Sequence, residues 1–128
     1  MHPALLAVPA ALALAACGTI APPAATADHL VGTWQIDLRP SPDAAPYVQP
    51  FVVTGVREGT FTGTFYGAPV SQARLNTRWG AVHLAFVTED ASGAHHHAAV
   101  LRDGRLEGTT NSTGRDFLAC WSGTRQAP

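Results

Sequence analysis

From Leu30 onward the chain alternates between apolar and polar residues in short runs. The clearest run is VGTWQIDL, residues 31–38, in which Trp34, Ile36 and Leu38 share one face. A period of two residues is typical of a β-strand with one buried face. Similar runs recur roughly every ten residues, and none of them has the period of an α-helix. This region therefore predicts an all-β domain.

Turn signals divide the pattern into eight antiparallel strands. Two-residue connections that contain glycine, such as Glu58–Gly59 and Asp103–Gly104, are typical of hairpins. Only the segment 39–49 is long, and its three prolines disfavour a strand there. The predicted fold is an eight-stranded, up-and-down antiparallel barrel. Its strands are expected at 31–38, 50–57, 60–66, 70–77, 81–88, 94–101, 105–112 and 117–125.

The Asp103–Gly104 turn also predicts the register of the two strands that it connects. Counting outward from it pairs Leu101 with Leu106 and His97 with Thr110. The two leucines are the natural inward pair, so His97 should face the barrel interior as well. His95 lies two residues away and should share that face.

The first eighteen residues resemble an export signal. An apolar run over residues 5–16, too short to span a bilayer, ends in the segment LAAC, residues 14–17. Small residues before a cysteine at this point resemble the lipobox of bacterial lipoproteins. The resemblance implies a signal peptide over 1–16, acylation of Cys17 with chains such as palmitate, and, with Gly18 next, an outer-membrane anchor facing the periplasm. The alternative is an ordinary cleaved signal with an incidental cysteine.

Composition constrains the rest of the chain. Residues 17–29 are rich in Pro and Ala and predict a tether, which leaves 30–126 for the barrel. Hydrophobic residues make up 46% and charged residues 13%, so this region can build a core. A net charge of -1 argues against nucleic acid as a partner. Cys120 has no disulfide partner if Cys17 is acylated, and we expect it to be a buried or half-buried hydrophobe.

Short motifs at both ends of the barrel region resemble the calycins, which include lipocalins and avidins. GTW opens the first strand at 32–34, WSGTR ends the last at 121–125, and FTGTF lies at 61–65. In calycins the Trp closes one barrel end and a basic residue of the last strand packs across it. The resemblance implies a lipocalin-like barrel and assigns its closure to three residues: Gly32, Trp34 and Arg125.

The avidin-type ligand residues are missing. Avidins have an Asn two residues after the Trp and a Tyr after FTGT, and this chain has Ile36 and Phe65 there. Biotin is therefore not expected as a ligand.

The segment AHHHAAV, residues 94–100, carries the most unusual chemistry. A histidine pair at i and i+2, His95 and His97, could bind a divalent metal such as Zn or a haem-like group. A third ligand is not obvious, although Glu89 or Asp90 in the adjacent turn could serve. The preferred interpretation is a polar lining of the barrel mouth, without a cofactor.

If one end is closed by Trp34, a ligand should enter at the opposite end. Amphipathic and cationic side chains there suit a small apolar molecule that bears a carboxylate. We expect this binding to strengthen as the histidines protonate, near their ordinary pKa of about 6.5. The expected ligand-binding residues are Tyr47, Tyr66, His95, His97 and Arg115.

Function remains open between two main classes. Motifs such as GxSxG, HExxH and CxxC are absent, so we do not expect an enzyme. One class is a lipid-anchored envelope protein that binds a small apolar or amphipathic ligand. The other is a non-enzymatic interaction or structural lipoprotein with a filled barrel. A cavity of a few hundred Å³ would favour the first class.

Overall fold

The structure is a computed structural model that describes residues 3–4 and 25–127. Most of the predicted signal peptide, Cys17 and the tether up to residue 24 lie outside the described residues. Within the described part of the chain, no helix is long and apolar enough to cross a membrane.

The described chain folds into one antiparallel sheet that curls into a nearly closed, up-and-down barrel. Each strand pairs with its neighbour in sequence except β4 with β5, and the first strand also pairs with the last. The all-β barrel is thus confirmed. The strands are β1 Gly32–Asp37, β2 Val48–Arg57, β3 Thr60–Phe65, β4 Ala68–Pro69, β5 Ser71–Asn76, β6 Val82–Asp90, β7 Gly93–Arg102, β8 Arg105–Ser112 and β9 Phe117–Arg125. Short 3₁₀ helices lie at Ala27–Leu30 and Thr113–Arg115.

The predicted count of eight strands is wrong, because a ninth strand of two residues, β4, lies between the predicted strands 60–66 and 70–77. β4 pairs with β3, whereas β5, which lies within the predicted strand 70–77, pairs with β6. Pro69 has no N–H with which to continue the ladder, and Gln72 adopts a left-handed φ of 50°. All eight predicted strands agree with the structure to within two residues at each end.

Isolated backbone hydrogen bonds close the barrel between β3 and β5. Val70 N–H donates to Gly63 O at 2.9 Å, and Leu75 N–H donates to Gly59 O at 2.8 Å. The barrel is therefore nearly closed, with a continuous ladder everywhere except at this seam.

The predicted register of the β7–β8 hairpin is confirmed. Leu101 pairs with Leu106, and His97 pairs with Thr110. Asp103 and Gly104 adopt φ values of 52° and 72°, as a type I′ turn requires. This register turns His97 toward the interior, where it is 4% exposed.

Aromatic side chains fill the middle of the barrel. Phe51 and Phe86 stack with their ring centroids 5.1 Å apart, and Phe61 and Phe65 meet Phe86 edge-on at 5.5 and 5.4 Å. Side chains can just fill an interior of this size. Four aromatic rings from three strands therefore leave little room for a ligand at this level.

One end of the barrel is sealed by Trp34 and Arg125. The Arg125 guanidinium lies over the indole, 4.4 Å from the ring centroid. It donates to Val31 O at 2.7 Å and also to His29 O. The indole N–H donates to Leu30 O at 2.9 Å. Cation–π contact and hydrogen bonds thus join the last strand, the first strand and the segment that precedes it.

Gly32 makes this contact possible. Its φ is +138°, and a Cβ there would lie 2.5 Å from Arg125 Nη1. The segment before it, assigned in part to the tether, also packs on the barrel. Leu30 is fully buried, and Ala25 N–H donates to Thr77 O at 3.0 Å. The packed chain therefore begins at or before Ala25.

Replacing Trp34 should be strongly destabilising. We expect Trp34→Ala to lower the free energy of unfolding by about 3–5 kcal/mol, because a fully buried indole leaves a cavity and two broken contacts. Trp79 is 72% exposed, so the matched control Trp79→Ala should change the free energy of unfolding by about 0.5 kcal/mol or less. Urea unfolding measures both values. Similar losses in the two variants would contradict the assigned role of Trp34.

Candidate functional site

A cavity of about 370 Å³ opens at the barrel end opposite Trp34. It lies below the loop 38–47 and the turns that follow β3, β6 and β8. The structure brings all five predicted ligand-binding residues to its lining: Tyr47, Tyr66, His95, His97 and Arg115.

His97 forms the polar part of the cavity floor. Its Nδ1 lies 2.7 Å from Thr110 Oγ1, and its Nε2 lies 2.8 Å from Thr88 Oγ1. The imidazole stacks on Phe86 at 4.5 Å and leans against Phe65 at 4.4 Å. Because a neutral ring has one donor and one acceptor nitrogen, the two hydroxyls satisfy both of them.

Burial changes the ionisation of His97. Loss of hydration, followed by the nearby His95 and His96, lowers the pKa of His97 to about 4. The ring is therefore neutral at neutral pH and in mild acid. The expectation that His97 gains a charge near pH 6.5 is therefore wrong.

His95 lies nearer the cavity mouth than His97 and has different neighbours. Its Nδ1 lies 2.7 Å from Ser112 Oγ. Its buried Nε2 lies 2.9 Å from Asp90 Oδ2, at ion-pairing distance, but the N–H direction is not aligned for a good hydrogen bond. Hydrogen bonds from Ser92, and then the contact with His95, lower the pKa of Asp90 to about 2. Asp90 is therefore a carboxylate at the cavity wall.

The geometry does not favour the metal alternative. The ring centroids of His95 and His97 are 6.5 Å apart, and each ring nitrogen already faces a hydroxyl or a carboxylate. Among residues 25–127, no three His, Cys, Asp or Glu side chains are grouped to hold a metal ion.

Two tyrosines form the rim on one side. The hydroxyls of Tyr47 and Tyr66 hydrogen-bond to each other, and this bond raises the pKa of Tyr66. Both rings are about half exposed, at 46% and 48%. The position of Tyr47 is set by Asp37, which accepts its N–H at 3.2 Å, and by Leu38 N–H, which donates to Tyr47 O at 2.8 Å. Arg39 also binds the Asp37 carboxylate, so the long loop is anchored to the barrel.

The sequence interpretation missed several polar groups of the cavity. Glu89 and Asp90 both line the mouth, a position that the metal-ligand hypothesis alone does not predict. Ser112 could have been found, because the register that pairs His97 with Thr110 also pairs His95 with Ser112. Thr88 could be placed only once the pairing of β6 with β7 was known.

A second, larger groove lies outside the barrel. It has a volume of about 660 Å³ between the loop at 37–42 and the outer face of β9. Leu118 is 63% exposed beside it, and Cys120 is exposed, so the expectation that Cys120 is buried is wrong. On β9, Ala119 and Trp121 take the inward positions, which leaves Cys120 on the outer face. The groove lacks the convergent hydroxyl and imidazole groups of the cavity.

Comparison with protein-family models, with curated proteins and with solved structures finds no match to this chain. The fold itself, a nearly closed antiparallel barrel, is compatible with a calycin-like barrel.

Protein stability should depend on His97 in acid. The unfolded chain binds a proton near pH 6.5, whereas folded His97 binds it only near pH 4. The free energy of unfolding should therefore fall by up to about 3 kcal/mol as the pH drops across this window. His97→Gln should remove this part of the pH dependence, as measured by urea unfolding at several pH values. The exposed neighbour variant His96→Gln should retain it, and equal profiles for both variants would refute the assignment.

Proposed function

We propose that this protein is a binding module that holds one small amphipathic ligand in the open end of its barrel. The observation that carries the proposal is the 370 Å³ cavity, whose walls combine aromatic rings with hydroxyl, imidazole and guanidinium groups. Ligand sites in proteins are commonly concave, largely apolar and equipped with a few polar groups that orient the ligand.

The depth of the cavity limits the size of the ligand. Phe65, His97 and Trp121 occupy the interior below it, with Phe65 and Trp121 only 5.4 Å apart. Among the described residues, this packing leaves little room below the cavity for a long acyl chain. A molecule of one or two rings, or a short branched chain, matches the available volume.

Charge at the mouth favours a ligand with few negative charges. Arg115 supplies a cation, while Glu89 and the ionised Asp90 lie on the same lining. His97 is neutral and adds no charge, and both of its ring nitrogens already bond to threonine hydroxyls. We infer a ligand whose polar end is neutral or bears a single carboxylate directed at Arg115.

The cellular setting is proposed from LAAC at residues 14–17. It supports a bacterial lipoprotein anchored through Cys17, in the outer membrane and facing the periplasm. The second candidate function is an interaction lipoprotein without a ligand. The specific observation in its favour is the apolar surface of Phe117 and Leu118, which are 49% and 63% exposed.

Filling the cavity should abolish binding. Ala119 pairs with inward-facing Thr110 and lines the cavity, so Ala119→Phe should place a ring in the ligand volume. We expect affinity for a ring-bearing carboxylate such as indoleacetate to fall at least about tenfold, as measured by calorimetry. Ala98→Phe adds the same ring to the outer face of β7 and should bind like wild type. Absence of binding by wild type would favour the interaction lipoprotein.

Membrane attachment should depend on Cys17. In a bacterial host, we expect Cys17→Ser to move the protein from the membrane fraction to the soluble fraction, because a serine side chain cannot take the thioether-linked lipid. The matched variant Cys120→Ser should stay with the membrane. Fractionation followed by immunoblotting measures both, and retention of Cys17→Ser in the membrane would disprove the proposed anchor.

A further inference from the structure

Three side chains of the cavity form a connected series. Ser112 Oγ lies 2.7 Å from His95 Nδ1, and His95 Nε2 lies 2.9 Å from Asp90 Oδ2. Each of the three comes from a different strand end, and all three line the same cavity. A hydroxyl, an imidazole and a carboxylate in this order can act as nucleophile, general base and orienting group.

The carboxylate selects the reactive form of His95. A negative Asp90 beside Nε2 stabilises the tautomer that carries its proton there. Nδ1 then has a free lone pair that faces the hydroxyl proton of Ser112. Asp90 is 55% exposed at its side chain, so a small rotation can align it with the N–H.

His97, two residues away, has a structural role and differs from His95 in its neighbours. It lies between two hydroxyls and has no carboxylate next to it. Its partner Thr110 already accepts a hydrogen bond from Trp121 Nε1 at 2.9 Å. Within the described residues, Ser112 Oγ has only His95 as a hydrogen-bond partner, so its lone pairs are available to a substrate.

We propose that Ser112, His95 and Asp90 constitute a hydrolytic site for small carboxylic esters of the size that the cavity admits. This inference rests on the proposed function, since it requires that the cavity receive a small molecule. It adds a chemical step to binding. The sequence does not predict this step, because it contains none of the catalytic motifs named above.

In the proposed reaction, Ser112 Oγ attacks the ester carbonyl and its proton passes to His95 Nδ1. The C–O bond to the alcohol breaks, and the departing oxygen takes that proton. Water then attacks the acyl-serine, again with His95 as base. The acid leaves and Ser112 regains its proton. Arg115, on the same lining, supplies positive charge for the carbonyl oxygen as it becomes negative.

Two measurements on the purified protein test the proposal. A fluorophosphonate probe should form an Oγ–P bond at Ser112 with loss of fluoride, and peptide mass spectrometry should locate the label there. Turnover of naphthyl acetate should fall at least about 100-fold in Ser112→Ala and in His95→Gln. Ser122→Ala, which changes a half-buried serine on β9, should leave both measurements unchanged.

The role of Asp90 needs a finer measurement, because it positions His95 without touching the substrate. Asp90→Asn should lower kcat and leave KM nearly unchanged, and Asp90→Glu should restore part of the rate. A fall in stability alone would not produce this pattern.

The outcomes separate this inference from the proposed function. Indoleacetate binding by wild type, without a label on Ser112 or ester turnover, would overturn the hydrolytic site and leave the binding module standing. A label on another serine, or turnover that survives in Ser112→Ala, would also overturn it. The mapping of the label uses wild type only, so it decides the question even if a variant fails to fold.

Discussion

The pairing of the first strand with the last is the contact on which the rest of the structure depends. Trp34 and Arg125 are direct partners in the β1–β9 ladder, and their side chains lie one over the other. This pairing converts an open sheet, which would expose two edges, into a barrel whose hydrogen bonds are interrupted at one seam. It also fixes which end is sealed, and so the opposite end is where a cavity can form.

Much of this architecture is encoded locally and could be predicted from the sequence. Alternating residues and glycine turns identify eight strands, and a two-residue turn sets the faces of His95 and His97. The short strand β4 escapes prediction, because its two residues are too few to show an alternating pattern. Properties that depend on strands distant in the sequence also cannot be predicted from it. The depressed pKa of His97 follows from burial in a core that strands remote in the sequence build.

The barrel interior changes character along its axis. Below the middle, Phe51, Phe61 and Phe86 pack ring against ring. Above the middle, hydroxyl groups from neighbouring strands lie within hydrogen-bond distance of each inward-facing histidine. Two histidines 6.5 Å apart therefore have different chemistry, one buried between hydroxyls and the other beside a carboxylate. A repeated residue type is thus insufficient to define a site, because its neighbours determine what it can do.

The chain enters the barrel at its sealed end, where Ala25 bonds to Thr77. With Cys17 as the proposed attachment point, the eight residue-to-residue steps from position 17 to position 25 span at most ~29 Å. The sealed end would then be the end of the barrel tied to the bilayer, and the opening would lie at the far end. In that orientation the protein would sample solutes of the periplasm rather than molecules leaving the membrane. The compounds worth screening would be water-soluble ones.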